Sequence, residues 1–223
     1  MFIRLSAALV AACAASAFAQ VPWVNDSGSN TNFSWSNGGS DNGLFGDPLV
    51  TPSGFLFTPA NFNAEANDID GSNDATSDRL FVDITPDAGF AVTGVRITEL
   101  GNYNLTGEGS SVEASADLTV SSLSGPAFSV SDAMDTNPLF PLVHTGNDLN
   151  GSWNGLAEVT IPLSSSSFRI EVTNGLLAFS SDGGTAFISK IVVGGSFAVQ
   201  LIPAPGALAG LGLGLVAMGR RRR

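Results

Sequence analysis

The sequence predicts an all-β fold, an antiparallel sandwich, on three observations. Apolar and polar side chains alternate with period two in stretch after stretch between residues 21 and 202. Long helix-favouring side chains are scarce there: six Glu, three Arg, and one each of Lys, Gln and Met. Gly, Ser, Asn, Asp and Thr dominate instead, and these favour turns and caps over helix interiors.

The elements follow in order. Leu80, Val82 and Ile84 set one apolar face, and Val95 with Ile97 the next. From 112 to 120 every even position is apolar and every odd one polar. Ala157, Val159, Ile161 and Leu163 alternate with Glu158, Thr160 and Pro162. Pro162 has no N–H for a ladder, which predicts an edge or bulged position. Phe168, Ile170 and Val172 lead into Asn174-Gly175, which predicts a hairpin turn because a type I′ turn needs positive φ at both central residues. Ser181-Asp182-Gly183-Gly184 predicts the next reversal, into a strand around 186–193, and Phe197, Val199 and Leu201 close the series.

Residues 25–47 and 128–153 read as irregular. One polar face per strand implies sheets solvated on one side and packed face to face. The expectation is eight to ten strands in a jelly-roll-like sandwich, one domain over residues 20–202. The alternative, an immunoglobulin-like sandwich, lacks its Cys…Trp…Cys spacing.

Charge excludes one class of partner. Residues 21–202 carry Arg79, Arg96, Arg169 and Lys190 against all 20 acidic residues of the chain. Such a surface repels phosphate backbones, so no nucleic-acid partner is expected. The single cysteine, Cys13, lies in the apolar N-terminal stretch, so the body has neither a disulfide framework nor a cysteine metal cage.

Both ends read as addresses. Arg4, an apolar stretch from 5 to 15 and Ala17-Phe18-Ala19 make a secretory signal over 1–19, cut before Gln20 by signal peptidase. The other end runs Ile202-Pro203-Ala204-Pro205-Gly206, an apolar stretch 207–218, Gly219, and then Arg220, Arg221, Arg222 and Arg223. As a helix, 207–218 spans about 18 Å against a hydrocarbon core of about 30 Å. The arginines act as a membrane stop on the cytoplasmic side.

This tripartite end, 203–223, resembles the PEP-CTERM sorting domain of exported bacterial proteins. The resemblance implies an exosortase-like membrane transpeptidase as partner, with Pro203, Ala204 and Pro205 as the sorting motif. Ala204 stands where that family usually has glutamate. The short hydrophobic helix and the basic tail would be the membrane-contacting part.

Within the body, Asp68, Asp70, Asn73, Asp74 and Asp78 form an acidic, Gly-containing segment with oxygen ligands suited to calcium, the one cofactor considered, although the spacing is not that of an EF-hand. Its plainer reading is a solvated loop of Asx-turns. His144, the sole histidine, reads as a loop or surface residue. Trp35 and Trp153, flanked by Ser, Asn and Gly, read as the exposed pair able to stack on sugars of an exopolysaccharide. The strand carboxylates Glu113, Asp117, Glu158 and Glu171 fall on polar faces. The functional expectation is an exported, non-catalytic surface or extracellular-matrix protein. A carbohydrate-binding module is the alternative, and a polysaccharide hydrolase or lyase with paired carboxylates is the next.

Overall fold

The computed structural model describes residues 20–67, 71–163, 165–181, 183–190 and 196–205. The signal segment 1–19, Asp68 and Asp70, the apolar stretch 207–218 with its expected helix, and Arg220, Arg221, Arg222 and Arg223 lie outside the described residues. Among the described residues, no helix is long and apolar enough to cross a membrane.

The strands, in chain order, are β1 (Val21–Pro22), β2 (Gly28–Ser29), β3 (Phe33–Ser40), β4 (Leu49–Thr51), β5 (Gly54–Phe57), β6 (Asn63–Ala66), β7 (Ser72–Pro86) and β8 (Val92–Thr106). They continue as β9 (Ser111–Ser124), β10 (Ser129–Ala133), β11 (Asp135–Asn137), β12 (Leu142–Val143), β13 (Leu149–Thr160), β14 (Ser167–Ser180), β15 (Thr185–Lys190) and β16 (Phe197–Pro203).

They form two sheets, and every ladder is antiparallel. The first has the order β1-β3-β7-β14-β9-β10, with β2 beside β3 and β12 beside β9. The second has the order β11-β13-β8-β16-β5-β4. Along one flank of β8, β16 pairs with residues 92–99 and β15 with 101–106, and β6 pairs with β15 on its far side. The chain changes sheet at β7→β8, β8→β9, β13→β14 and β14→β15, the alternation expected of a jelly-roll-like sandwich.

Parity builds the core. In the first sheet the even residues point inward: Leu80, Val82 and Ile84 of β7, Val112, Leu118 and Val120 of β9, and Phe168, Ile170 and Val172 of β14. In the second the odd ones do on β8, β13 and β16, namely Val95 and Ile97, Ala157 and Val159, and Phe197, Val199 and Leu201, while β6 and β15 bury even ones, Ala64, Ala66, Ala186 and Ile188. Phe45, Phe57, Phe62 and Phe197 fill one end, with ring centroids 4.9–6.1 Å apart where they meet. Each such side chain contributes about 1.5–3 kcal/mol by leaving water.

Several expectations need correction. Asn174-Gly175 is no hairpin turn but lies within β14, where Asn174 is opposite Asp78 on one side and Ala116 on the other. Inward parity runs straight through it, from Val172 past Asn174 to Leu176 and Ala178, so the ladders on both flanks hold the pair extended. The reversal comes at 181–184, where the Gly184 N–H donates to the Ser181 carbonyl at 2.8 Å and Gly183 has φ 72°. Strands exceed the eight to ten expected because short pieces lie along the edges. The 128–153 stretch contains β10, β11, β12 and the start of β13, and 25–47 contains β2 and β3. β13 ends at Thr160, leaving Pro162 just past the ladder and Leu163 exposed.

Candidate functional site

Trp35 shares inward parity with Phe33 on β3, but it sits at the rim of the sandwich and is half-buried. Its ring centroid lies 6.2 Å from Phe33 and 5.9 Å from Phe55, the latter edge-on. The indole also lies against the backbone at Gly28, where an added Cβ would collide with the ring, and its Nε1–H donates to the Asn25 carbonyl at 3.1 Å. These contacts fix the ring without closing its outer side. That side faces a groove of ≈ 310 Å³ lined also by Asn25, Ser27, Ser29, Asp47 and Val50.

The groove walls are tied together. The Val24 N–H donates to Asp47 Oδ1 at 2.7 Å, Asn30 Nδ2 to the Thr51 carbonyl at 2.9 Å, and Asn32 Nδ2 to the Pro52 carbonyl at 2.8 Å. One held aromatic surface among amide, hydroxyl and carboxylate groups suits a ligand with an apolar face and many hydroxyls.

Trp153, the expected second stacking residue, is 1 % exposed. It projects inward from β13, meets Phe140 at 5.8 Å, and lies over Gly101 of β8. It cannot touch a sugar at the surface. Trp23 is also buried. His144 lies in the loop after β12 but is buried rather than superficial, with Nε2 3.5 Å from Asp148 Oδ1.

Of the acidic segment, the three described residues do not converge. Asn73, Asp74 and Asp78 all lie on β7, not in a loop. Asp74 and Asp78 are four residues apart, about 13 Å along a strand, whereas ligands of one calcium ion lie about 2.3–2.6 Å from it. Asp78 is buried and already engaged. Its Oδ1 accepts from the Asn42 and Arg79 N–H groups at 2.8 and 2.9 Å, and its Oδ2 from the Leu44 N–H at 2.8 Å. Asp74 Oδ2 accepts from the Glu65 N–H at 2.9 Å. Among the described residues, no group of three or more His, Cys, Asp or Glu is placed to hold a metal ion. Of the three residues read as a sorting motif, Pro203 ends β16 and Ala204 and Pro205 follow it, and the Ala204 N–H donates to the Ala91 carbonyl at 2.8 Å.

The structure also assembles a group that the sequence reading missed. Glu99 of β8, Lys190 of β15 and Asn174 of β14 all point into the core, where the Lys190 and Glu99 side chains are 0 % exposed. Lys190 Nζ donates to Glu99 Oε2 and Asn174 Nδ2 to Glu99 Oε1, so one carboxyl bridges an amine from its own sheet and an amide from the facing sheet. Asn174 Oδ1 has no hydrogen-bond partner among the described residues. Phe62, Trp153 and Phe197 surround Nζ at 4.9, 5.6 and 5.6 Å from their ring centroids. Burial pushes the Lys190 ammonium below its usual range, against the pull of the Glu99 carboxylate in the other direction.

The other three cations of the described body are paired at the surface. Arg79 binds Asp41 and approaches Glu171, Arg96 binds Glu158, and Arg169 binds Asp83. The remaining described carboxylates, Glu113 and Asp117 among them, face solvent.

No protein-family model matches the chain, and no curated protein does. Among solved structures, it is similar to TmCBM61, a carbohydrate-binding module in complex with β-1,4-galactotriose, at 14 % identity and TM-score 0.25, covering 82 % of this chain and 99 % of that one. It is similar to the enzymatically active domain of bacteriophage CBA120 tailspike protein 4 at 9 % identity and TM-score 0.20, covering 63 % of this chain and 19 % of that one. A third is a structure of the infectious bursal disease virus Gx strain, at 14 % identity and TM-score 0.20, covering 74 % and 49 %. At such scores these are likenesses of β-rich chains, and no ligand or activity passes from them to this one.

Proposed function

We propose that this chain is an exported, non-catalytic module of the bacterial cell surface or extracellular matrix that holds neutral polysaccharide in the groove at Trp35. The observation that carries the reading is the half-buried indole, held by Phe33, Phe55 and Gly28 and facing a groove edged by Asn25, Ser27, Ser29 and Asp47. A pyranose offers an apolar face to stack and hydroxyls for those polar groups. Charge selects the ligand class: with Arg79, Arg96 and Arg169 already paired, excess carboxylate on the body disfavours uronic-acid polymers. Binding is favoured over hydrolysis because the described lining holds one carboxylate, Asp47, where the paired mechanism needs two. Export and envelope sorting rest on the signal segment and the tail.

Affinity electrophoresis through gels containing neutral hexose polymers tests the binding, with a uronan gel as comparison. Retardation by a neutral polymer, abolished in Trp35→Ala while the melting transition persists, is expected. Equal mobility of wild type and variant in every gel would refute it. Intact-mass measurement of the exported protein tests the sorting, with an N-terminus at Gln20 and loss of the residues after Pro205 expected.

A further inference from the structure

We infer that Lys190 and Asn174 are partners in a self-catalysed covalent cross-link, an isopeptide bond joining the two sheets, with Glu99 as its catalytic residue. The inference is independent of the Trp35 groove. It starts from an arrangement that is costly as a plain ion pair. Three polar groups from three strands are placed among the buried rings of Phe62, Trp153 and Phe197, and the amide carbonyl has no partner among the described residues. What the arrangement does provide is a nucleophile and an acyl donor hydrogen-bonded to the two oxygens of one proton carrier, away from water.

The chemistry needs no outside reagent. In the water-poor pocket of Phe62, Trp153 and Phe197, the proton of the Lys190 ammonium passes to Glu99, leaving a neutral amine with a free lone pair. A half-turn of the Asn174 amide exchanges its N and O ends, and the Glu99 carboxylic acid then donates to Oδ1 and polarises Cγ. Lys190 Nζ adds to Cγ, one N–C bond forms, and the Cγ–Nδ2 bond breaks. Glu99 takes a proton from the attacking nitrogen and delivers one to Nδ2. Ammonia leaves with two hydrogens from the amide and one from the amine. Nothing is oxidised or reduced, and Glu99 ends as the carboxylic acid, keeping the proton first taken from the Lys190 ammonium. Proximity supplies the rate: all three groups are held by ladders, Asn174 by β7 and β9, Lys190 by β8, and Glu99 by β13 and β16.

The product is one amide in place of another, shielded from hydrolysis by the same rings. It ties β14 of one sheet to β15 of the other, strands that share no backbone ladder and are otherwise joined through the turn at 181–184.

The test is peptide mass spectrometry of the purified full chain. Ring closure at an N-terminal Gln20, or between Asn174 and Gly175, also removes ammonia, so the loss of about 17 Da must be located and not only weighed. Chymotrypsin cuts at Phe179 and Phe187, between the two residues, and in the cross-linked protein the Asn174 and Lys190 peptides emerge joined and lighter by about 17 Da. Trypsin then fails to cut after Lys190. Joined peptides in wild type, and separate full-mass peptides in Glu99→Gln and in Lys190→Met, support the inference. Separate peptides from natively folded wild type overturn it without recourse to any variant. So does a loss of ammonia at Asn174 that persists in Lys190→Met, which would assign it to ring closure with Gly175.

Discussion

Replacing Asp78 by asparagine tests how the 41–47 segment is held to the sandwich. The carboxylate accepts three backbone N–H groups, from Asn42, Leu44 and Arg79, inside a buried site. Asparagine keeps Oδ1 for Asn42 and Arg79 but puts an NH₂ group against the Leu44 N–H, so a donor meets a donor. One charge-assisted bond worth about 1.5–3 kcal/mol is lost, and a buried donor left unsatisfied costs about 1–3 kcal/mol more. The expected destabilisation is therefore about 2.5–6 kcal/mol. For a protein of this size, about 2–4 °C per kcal/mol converts that into a fall in Tm of roughly 5–24 °C.

The loss is global because Phe45, on the same segment, packs between Phe57, Phe62 and Phe197. Releasing the segment opens that end of the core. Differential scanning calorimetry of wild type and Asp78→Asn reads the difference. A destabilisation below about 1 kcal/mol would refute the reasoning, since it would mean that water serves these N–H groups as well as the carboxylate does.

Asp83 ties acid stability to one pair. Burial raises its pKa, but hydrogen bonds from Arg169 and Asn37 and the charge of Arg169 outweigh that and hold it below the usual carboxylate value. A lowered folded value means stability present above the unfolded pKa of about 3.9 and lost as pH falls through the folded one. Urea melts across pH should show Asp83→Asn less stable than wild type near neutrality, with the gap closing below about pH 4. Gly101→Ala would drive a Cβ into the Trp153 indole and the Ser189 carbonyl, so thermal melts should show about 1–3 kcal/mol of overpacking loss. With Asp78 engaged and distant from Asn73, chelation of divalent ions should leave Tm unchanged, and a clear fall would return calcium to the acidic segment.

The fold was legible wherever alternation ran unbroken, as in β9 and the first half of β14, because a buried face repeats every second residue. Neighbour identity misled where parity would not have. Trp153 sits among Ser152, Asn154 and Gly155 and reads as exposed, yet its parity is that of Ala157 and Val159, and it is buried with them. The Asn174-Gly175 pair carries a strong local turn preference that two flanking ladders override. The buried triad had the same unread signal: Glu99 follows Val95 and Ile97 in parity, Lys190 follows Ala186 and Ile188, and Asn174 follows Ile170 and Val172. A polar residue at a core position on three separate strands was visible in the chain. Their meeting at one point was not, since it depends on which strands face each other across the sandwich. The Trp35 groove is likewise a product of distant segments, with 25–29 brought beside 47–50 by backbone-directed asparagines.

The sheet margins bear on how copies of the molecule meet. The outermost strands are brief: β1 has 2 residues, β10 has 5, and β4 and β11 have 3 each. Each offers few free backbone donors and acceptors to an approaching chain. Crowded neighbours should therefore stay separate molecules instead of zipping into fibrils. An assembly built from this protein would be joined through a third component that several copies grip.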